Sequence, residues 1–281
     1  MAVEVDTKHV EAVCSEADRI YRSLYPDADA AFLPWACDSF RAVFAGRYGD
    51  YLPLDAPYHD REHTMQGLLC LVRLLQGRHM AGALPTVPRG MFELGILAIL
   101  LHDTGYLKRS GDTGGTGAKY TLVHVDRSRE FAARFLFDQG FDANDVESVQ
   151  RMISGTAMNT SPTELPFASE TERTVGAALA TADLLGQMSA DDYVERLPQL
   201  YSEFAESCLH SGHGVEHLRF DSAEALIANT PVFWESYVKP KLEHGCQGMY
   251  RYLNDPYPDG DNDYLNRIEA NVKKAARLAA N

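Results

Sequence analysis

Residues 91–105 read MFELGILAILLHDTG. The segment is apolar nearly all round, so it is expected as a helix buried at the centre of an all-α fold. Its longest apolar run, ILAILL at 96–101, is far too short to cross a bilayer. Gly105 is placed to cap its C-terminus. His102 and Asp103 are adjacent where the apolar helix runs out. Burying an imidazole and a carboxylate there is costly unless they are hydrogen-bonded or bound to a metal.

Around this segment most of the chain keeps helical periodicity, and alternating strand patterns are scarce. Val10, Val13, Ala17, Ile20 and Leu24 form a stripe over 7–25, and Phe32, Leu33, Trp35, Phe40 and Phe44 mark a second helix over 30–47. Pro53 and Pro57 interrupt, and a helix is expected from Asp60 to about Leu75. Helical patterns resume at 122–138, at DANDVESVQRMI with Asp145 or Asn144 as cap, and at ETERTVGAALATADLLGQM. After Ser189, helices are expected at 191–210, 221–228, 231–244 and 262–280. The stripe of Trp234, Tyr237, Val238 and Leu242 reads as core, with a homodimer contact as the alternative.

At 281 residues, 45% of them hydrophobic, the chain has enough apolar content for a filled core. Its net charge of −14 argues against a nucleic-acid polymer as main partner, because phosphate backbones need clustered cations. A small anionic substrate stays open, since a metal inverts the local potential. Cys14, Cys37, Cys70, Cys208 and Cys246 are odd in number and widely spaced, and are expected as scattered thiols in a reducing cytosol. The N-terminal MAVEVDTKHVEAV has no basic region followed by an apolar core, so a cytoplasmic protein with no membrane partner is expected.

Three further oddities accompany the His102-Asp103 pair. His59 and His63 stand four apart in YHDREHTMQG, residues 58–67, a spacing that shares one helix face. Asp183 is a lone carboxylate in the apolar run ALATADLLGQM. His124 opens the helical pattern HVDRSREFAARFL. Facing helices of a bundle are a natural place for a metal site. His63, His102, Asp103 and Asp183 offer two imidazoles and two carboxylates, a set suited to manganese, iron, zinc or, less well, magnesium. No thiolate lies near them in sequence, which argues against a closed structural zinc site.

The order of His63, then His102-Asp103, then Asp183 resembles the signature of the HD-domain metal-dependent phosphohydrolases. YHDREH is similar to the Tyr-His-Asn-x-x-His element of the cyclic nucleotide phosphodiesterases, with Asp60 where that element has asparagine. After LLHD this chain continues TGYLKRS, where those enzymes have Val-Asp-His-Pro. The resemblance covers roughly residues 58–190. It implies an HD-domain helical bundle with additional N- and C-terminal helices: N-terminal helices over 1–50, a catalytic core over 51–190 and a helical extension over 191–281. It also implies His59 as general acid, His63 as metal ligand, one or two divalent ions with Asp103 as their bridge, and His124 as a ligand of the second ion.

The implied chemistry is hydrolysis of a phosphate ester, a nucleotide or cyclic phosphodiester among the candidates, by attack of metal-bound water with a proton given by His59. The partner is then a small phosphorylated molecule. Lys108, Arg109, Lys119 and Arg127 flank the glycine-rich SGDTGGTGAKY and are candidates for phosphate contacts. That stretch departs from the G-x-x-x-x-G-K-[ST] pattern and reads as a lid or a plain surface excursion. His210, His213 and His217 in HSGHGVEH read as loop histidines. Two alternatives stand beside the hydrolase: a di-iron oxygenase of the same superfamily, and a non-enzymatic sensor domain whose helices the metal holds.

Overall fold

In the computed structural model, residues 5–212 and 220–280 are described. His213 and His217 lie outside them. The described residues contain helices and no strand, only two isolated β-bridges, Tyr51 with Arg109 and Asp255 with Asp261. The all-α expectation is met.

The first two helices are α1 (Val10–Leu24) and α2 (Phe32–Phe44). Then come α3 (Arg61–Met80), α4 (Arg89–Leu101), α5 (His124–Asp138), α6 (Ala143–Ser154) and α7 (Glu170–Met188). The C-terminal third has α8 (Tyr193–His210), two short helices α9 (Ala223–Ala228) and α10 (Thr230–Phe233), and α11 (Asp263–Ala279). Between α10 and α11 the chain winds through two π-helical turns, Trp234–Val238 and Lys241–Gly245. Pro240, which has no N–H to give a regular helix, stands between them.

As its composition predicts, α4 is the buried centre: Phe92, Leu94 and every residue from Ile96 to Leu101 are buried. It packs against α3, α6 and α7, and α3 lies along α7. The α3–α7 approach needs Gly186, where a Cβ would stand 2.7 Å from the Gln66 carbonyl carbon. Val13 and Phe40 of the N-terminal helices, Leu68, Ile99 and Leu185 of the centre, and Trp234, Val238 and Ile268 of the C-terminal third share one apolar cluster.

Three local expectations are corrected. First, α4 ends at Leu101, with His102 as its C-cap and a 3-10 turn at Thr104–Tyr106. Gly105 is needed for a different reason: a Cβ there would lie 1.9 Å from the His124 carbonyl oxygen, so only glycine lets α5 begin against this turn. Second, α6 is capped by Asp142, whose carboxylate accepts from the backbone N–H groups of Asn144 and Asp145 at 2.8 and 3.0 Å. Third, Cys14 and Cys37 form a disulfide between α1 and α2, which bring their Cα atoms to 6.3 Å, within disulfide reach. Cys70, Cys208 and Cys246 remain free and buried. No helix among the described residues is long and apolar enough to cross a membrane.

Candidate metal centre

Three helices deliver the donor atoms to one point. At the start of α3, Asp60 is the N-cap, and its Oδ1 accepts from the backbone N–H of His63 at 2.9 Å. Its Oδ2 pairs with Arg196 at 2.9 Å, which fixes the cap in turn. Asparagine and aspartate cap about equally well, so Asp60 fills the place of asparagine without cost to the turn. At the end of α4, the His102 Nδ1–H donates to the Ile99 carbonyl at 2.7 Å. That bond leaves Nε2 of His102 as a lone pair turned inward. Asp103 follows immediately, and Asp183 projects from the middle of α7.

His63 Nε2 lies 3.1 Å from Asp103 Oδ2 and 3.2 Å from Asp183 Oδ1. His102 Nε2 lies 3.2 and 3.4 Å from the same two oxygens. Two donor groups are close enough to share an ion: His63 with His102 and Asp183, and His59 with His63 and Asp103, the atoms of each group lying within 4.8 Å of one another. His102 Nε2, Asp103 Oδ2 and His63 Nδ1 are buried with no hydrogen-bond partner. Lone pairs converging on buried carboxylates repel unless a cation sits among them, so the donor set fits a divalent ion.

The electrostatics agree. Burial works against charge on His63, but the Asp103 and Asp183 carboxylates beside its Nε2 outweigh it and hold its pKa up at about 10. Burial opposes charge on His102 as well, and the same two carboxylates raise it. Burial alone would raise Asp103 and Asp183, yet the facing imidazoles hold both well below the usual carboxylate range.

His124, at the start of α5, stands on the other side of Asp103, its Nε2 3.9 Å from Oδ1. Its Nδ1–H donates to the Thr121 carbonyl at 2.6 Å, so its Nε2 lone pair also faces Asp103. Burial lowers its pKa and keeps the imidazole neutral. The three rings of His59, Tyr106 and His124 are stacked, with centroids 4.6 and 4.8 Å apart and tilts of 13° and 21°.

His59 is tied to Glu203 of α8. Its Nδ1 lies 2.5 Å from Glu203 Oε2, while Glu203 Oε1 accepts from the backbone N–H of Tyr58 at 2.7 Å and of His59 at 3.2 Å. Burial pushes Glu203 up, but His59 and these N–H groups outweigh it and lower its pKa. Glu203 does not figure in the sequence-based reading, where the carboxylates nearest His59 along the chain are Asp60 and Glu62. Asp60 caps α3, and Glu62 accepts from Thr7 at 3.3 Å. The available signal was that Glu203 falls in helical phase with Leu197, Leu200 and Ser207, an acid on the buried face of α8.

The four basic residues around the glycine-rich loop all have partners within the chain. Lys108 pairs with Asp55 at 2.6 Å and donates to the Gly115 carbonyl at 2.7 Å. Lys119 pairs with Asp112. Arg109 meets Asp50 at 3.4 Å and lies over the Tyr51 ring. Arg127 donates to the carbonyls of Gly105 and Leu107 at 2.7 and 2.8 Å and covers the Tyr120 ring. Glu206 of α8 accepts from the Thr116 N–H and hydroxyl, and Asp55 from the Gly117 N–H, so the loop is fastened at several points.

The model of the Npun_R2479-like family matches residues 109–256, more than half of the chain. The chain belongs to this family. The part matched to the Npun_R2479-like model takes in His124, Asp183, Glu203 and both π-helical turns, while His59, His63, His102 and Asp103 precede it. Among solved structures, the phosphodiesterase domain of Salpingoeca rosetta rhodopsin phosphodiesterase is similar with a TM-score of 0.62 and 16% identity, over 96% of this chain and 88% of that one. At that identity the likeness is one of fold. A stretch of 40 residues is 38% identical to Enhancer of mRNA-decapping protein 4 of Danio rerio, 14% of this chain and 3% of that protein. The chain is thus a helical domain of phosphodiesterase-like fold with a His/Asp cluster able to bind a metal ion.

Proposed function

We propose that the chain is a metal-dependent phosphohydrolase of HD-domain type, built on a core over 51–190 that the flanking helices complete. The observation that carries this reading is the convergence of His63, His102, Asp103 and Asp183 on one point with buried, unpartnered donor atoms. A divalent ion bound there would acidify water and draw negative charge from phosphoryl oxygens. Two imidazoles and two carboxylates suit manganese, iron, zinc or magnesium. Asp103 turns one oxygen to His63 and His102 and the other to His124, an arrangement that supports reading Asp103 and His124 as residues that would help to hold a second ion.

His59 is the proton donor in this reading. Glu203 holds its Nδ1 side, so Nε2 is the atom left to give a proton to the departing oxygen. The carboxylate fixes the ring, and the Tyr106 ring packs against its face. The substrate is a small phosphate ester, with nucleotides and cyclic phosphodiesters as the first candidates. The fold shared with a phosphodiesterase domain supports the class and leaves the ester type to experiment.

The test is to purify the chain without added metal and determine its metal content by elemental analysis. The same samples are then assayed with and without manganese on bis-p-nitrophenyl phosphate and p-nitrophenyl phosphate. Bound ion with metal-dependent release of nitrophenol is expected. Failure to take up any divalent ion on reconstitution would sink the reading.

A further inference from the structure

Among the described residues, three lysine and arginine side chains are buried: Arg78, Lys108 and Lys119. The two lysines each meet an aspartate, Asp55 and Asp112. Arg78, in the last turn of α3 and only 3% exposed, pairs with no carboxylate of the described residues. One terminal nitrogen donates to the Pro85 carbonyl at 2.7 Å, and the guanidinium lies over the Tyr252 ring at 5.9 Å. Its Nε is buried with no hydrogen-bond partner. Arg127 also relies on neutral acceptors, but it is half-buried, and its Nε and one terminal nitrogen are both bonded, at 2.7 and 2.8 Å.

A guanidinium cannot shed its charge, so burying one without an anion is costly. Structural duty does not account for it. The end of α3 is closed by backbone alone: the N–H groups of Ala81, Ala83 and Gly82 donate to the carbonyls of Gly77, Arg78 and His79 at 2.9, 3.3 and 3.0 Å. Holding the Pro85 carbonyl needs a donor but no charge. The same guanidinium lines a cavity of about 60 Å³. That is several times the ~10–15 Å³ one water needs and far below the roughly 300 Å³ of a drug-sized pocket. No aspartate or glutamate lines it, in a chain that has 40 of them. His79, Gly82 and Thr86 of its wall are exposed, so it is reached from solvent.

We infer that Arg78 anchors a second binding site, at the far end of α3 from the metal centre, for a small oxyanion of the phosphate or carboxylate kind. The planar fork of a guanidinium matches two oxygens of such a group. The His79 imidazole and the Thr86 hydroxyl stand in the cavity wall to add donors, while the Tyr25 hydroxyl is taken by the Val87 carbonyl at 2.8 Å. His63 and Arg78 lie near opposite ends of α3, about 22 Å apart by helix rise. Anion binding here therefore does not depend on what the metal centre does.

The probes are inorganic phosphate and acetate, each titrated at constant ionic strength into the manganese-loaded full chain and followed by thermal melting, for wild type, Arg78→Gln and Arg78→Lys. Phosphate can also bind at the metal centre, in wild type and variants alike, so the difference between them reads the Arg78 site. Wild type should gain more from the anion than Arg78→Gln does, and the gap should widen as the anion is raised. Calorimetry should show the Arg78-dependent step weakened about tenfold or more by glutamine, the scale of one charge-assisted hydrogen bond. Lysine, which keeps the charge and loses the fork, should recover part of it. Metal content should be the same in all three. A widening gap with phosphate alone, with acetate alone or with both supports the site and names the oxyanion class. A gap that stays constant at every level of both anions means that Arg78 only ties down the 81–88 loop, and overturns the inference. If neither variant folds, wild type decides: crystals soaked with selenate, a phosphate-shaped anion with an anomalous scatterer, should show density within bonding distance of Arg78 Nε, and none there overturns it.

Discussion

The metal centre and the glycine-rich loop are both crowded with charge, yet they are built on opposite terms. In the loop the charges cancel within the chain: Lys108 meets Asp55, Lys119 meets Asp112, and Glu206 accepts from Thr116. In the metal centre the charges are concentrated and left incomplete: Asp103 and Asp183 face two imidazoles, and buried donor atoms go without partners. Cancelled charge builds a scaffold. Uncancelled, buried charge is where an ion or a substrate can bind. From sequence the two regions look equally rich in chemistry, and only the pairing separates them.

The comparison breaks most sharply at the ligands. His63→Ala, His102→Ala and Asp103→Ala should each lose bound metal and turnover, by more than the ~100-fold that removal of an outer hydrogen-bond partner costs. Elemental analysis beside the nitrophenyl assay checks this. A matched change in the loop, Lys119→Gln, should leave metal content as it was.

The next largest effect is expected at the acid. His59→Ala should keep its metal and lose about 10²–10⁴-fold in rate, most for esters with poor leaving groups. Glu203→Gln should lose less and in the same pattern, because glutamine still fills the buried site but holds the His59 ring less firmly. Rates across a series of aryl phosphates with leaving groups of graded pKa measure it. If His59→Ala loses metal instead, the acid assignment is wrong.

Gly186→Ala separates geometry from chemistry. The added methyl meets the α3 backbone at Gln66 and forces α3 from α7, which carry His63 and Asp183. A destabilisation of about 1–3 kcal/mol is expected from overpacking, together with weaker metal binding. Thermal melts with and without manganese read both.

The smallest effect is a proton. Without metal, the pKa of His63 is held up at about 10, above the ordinary value near 6.5. A raised pKa stabilises the fold fully below pH 6.5 and loses that contribution as pH rises through about 10. The metal-free chain should therefore melt progressively lower between pH 6.5 and 10. The loaded chain should not follow that trend, because metal ligands bind deprotonated and loading near pH 7 releases the proton. Calorimetry of manganese binding in buffers of different ionisation enthalpy counts the protons released.

Much of this was legible in the sequence, and the reasons are local. The apolar run 96–101 announced the central helix, and the placement of His63, His102, Asp103 and Asp183 pointed to one cluster, because His102, Asp103 and Asp183 adjoin or interrupt apolar runs and His63 stands four residues from His59. What stayed hidden depended on pairing across distance. Glu203 meets His59 from 144 residues away, and the Cys14–Cys37 disulfide needed the α1–α2 approach before it could be seen. The pairing of Lys108, Arg109 and Lys119 with Asp55, Asp50 and Asp112 was hidden as well, because single aspartates are unremarkable in a chain of net charge −14. The α6 cap was displaced because DAND offers Asp142, Asn144 and Asp145 together, and backbone geometry alone chooses Asp142.

The cap at Asp60 has one more consequence. Its bond to the backbone N–H of His63 makes the first turn of α3 and the first candidate ligand a single mechanical unit. Fraying that end of the helix must swing the imidazole away, and an ion gripping the imidazole must keep the end from fraying. The backbone amide of His63 should thus serve as a gauge of loading: its exchange with deuterated solvent is expected to slow when the centre takes up an ion and to quicken when the ion is removed, with no substrate present.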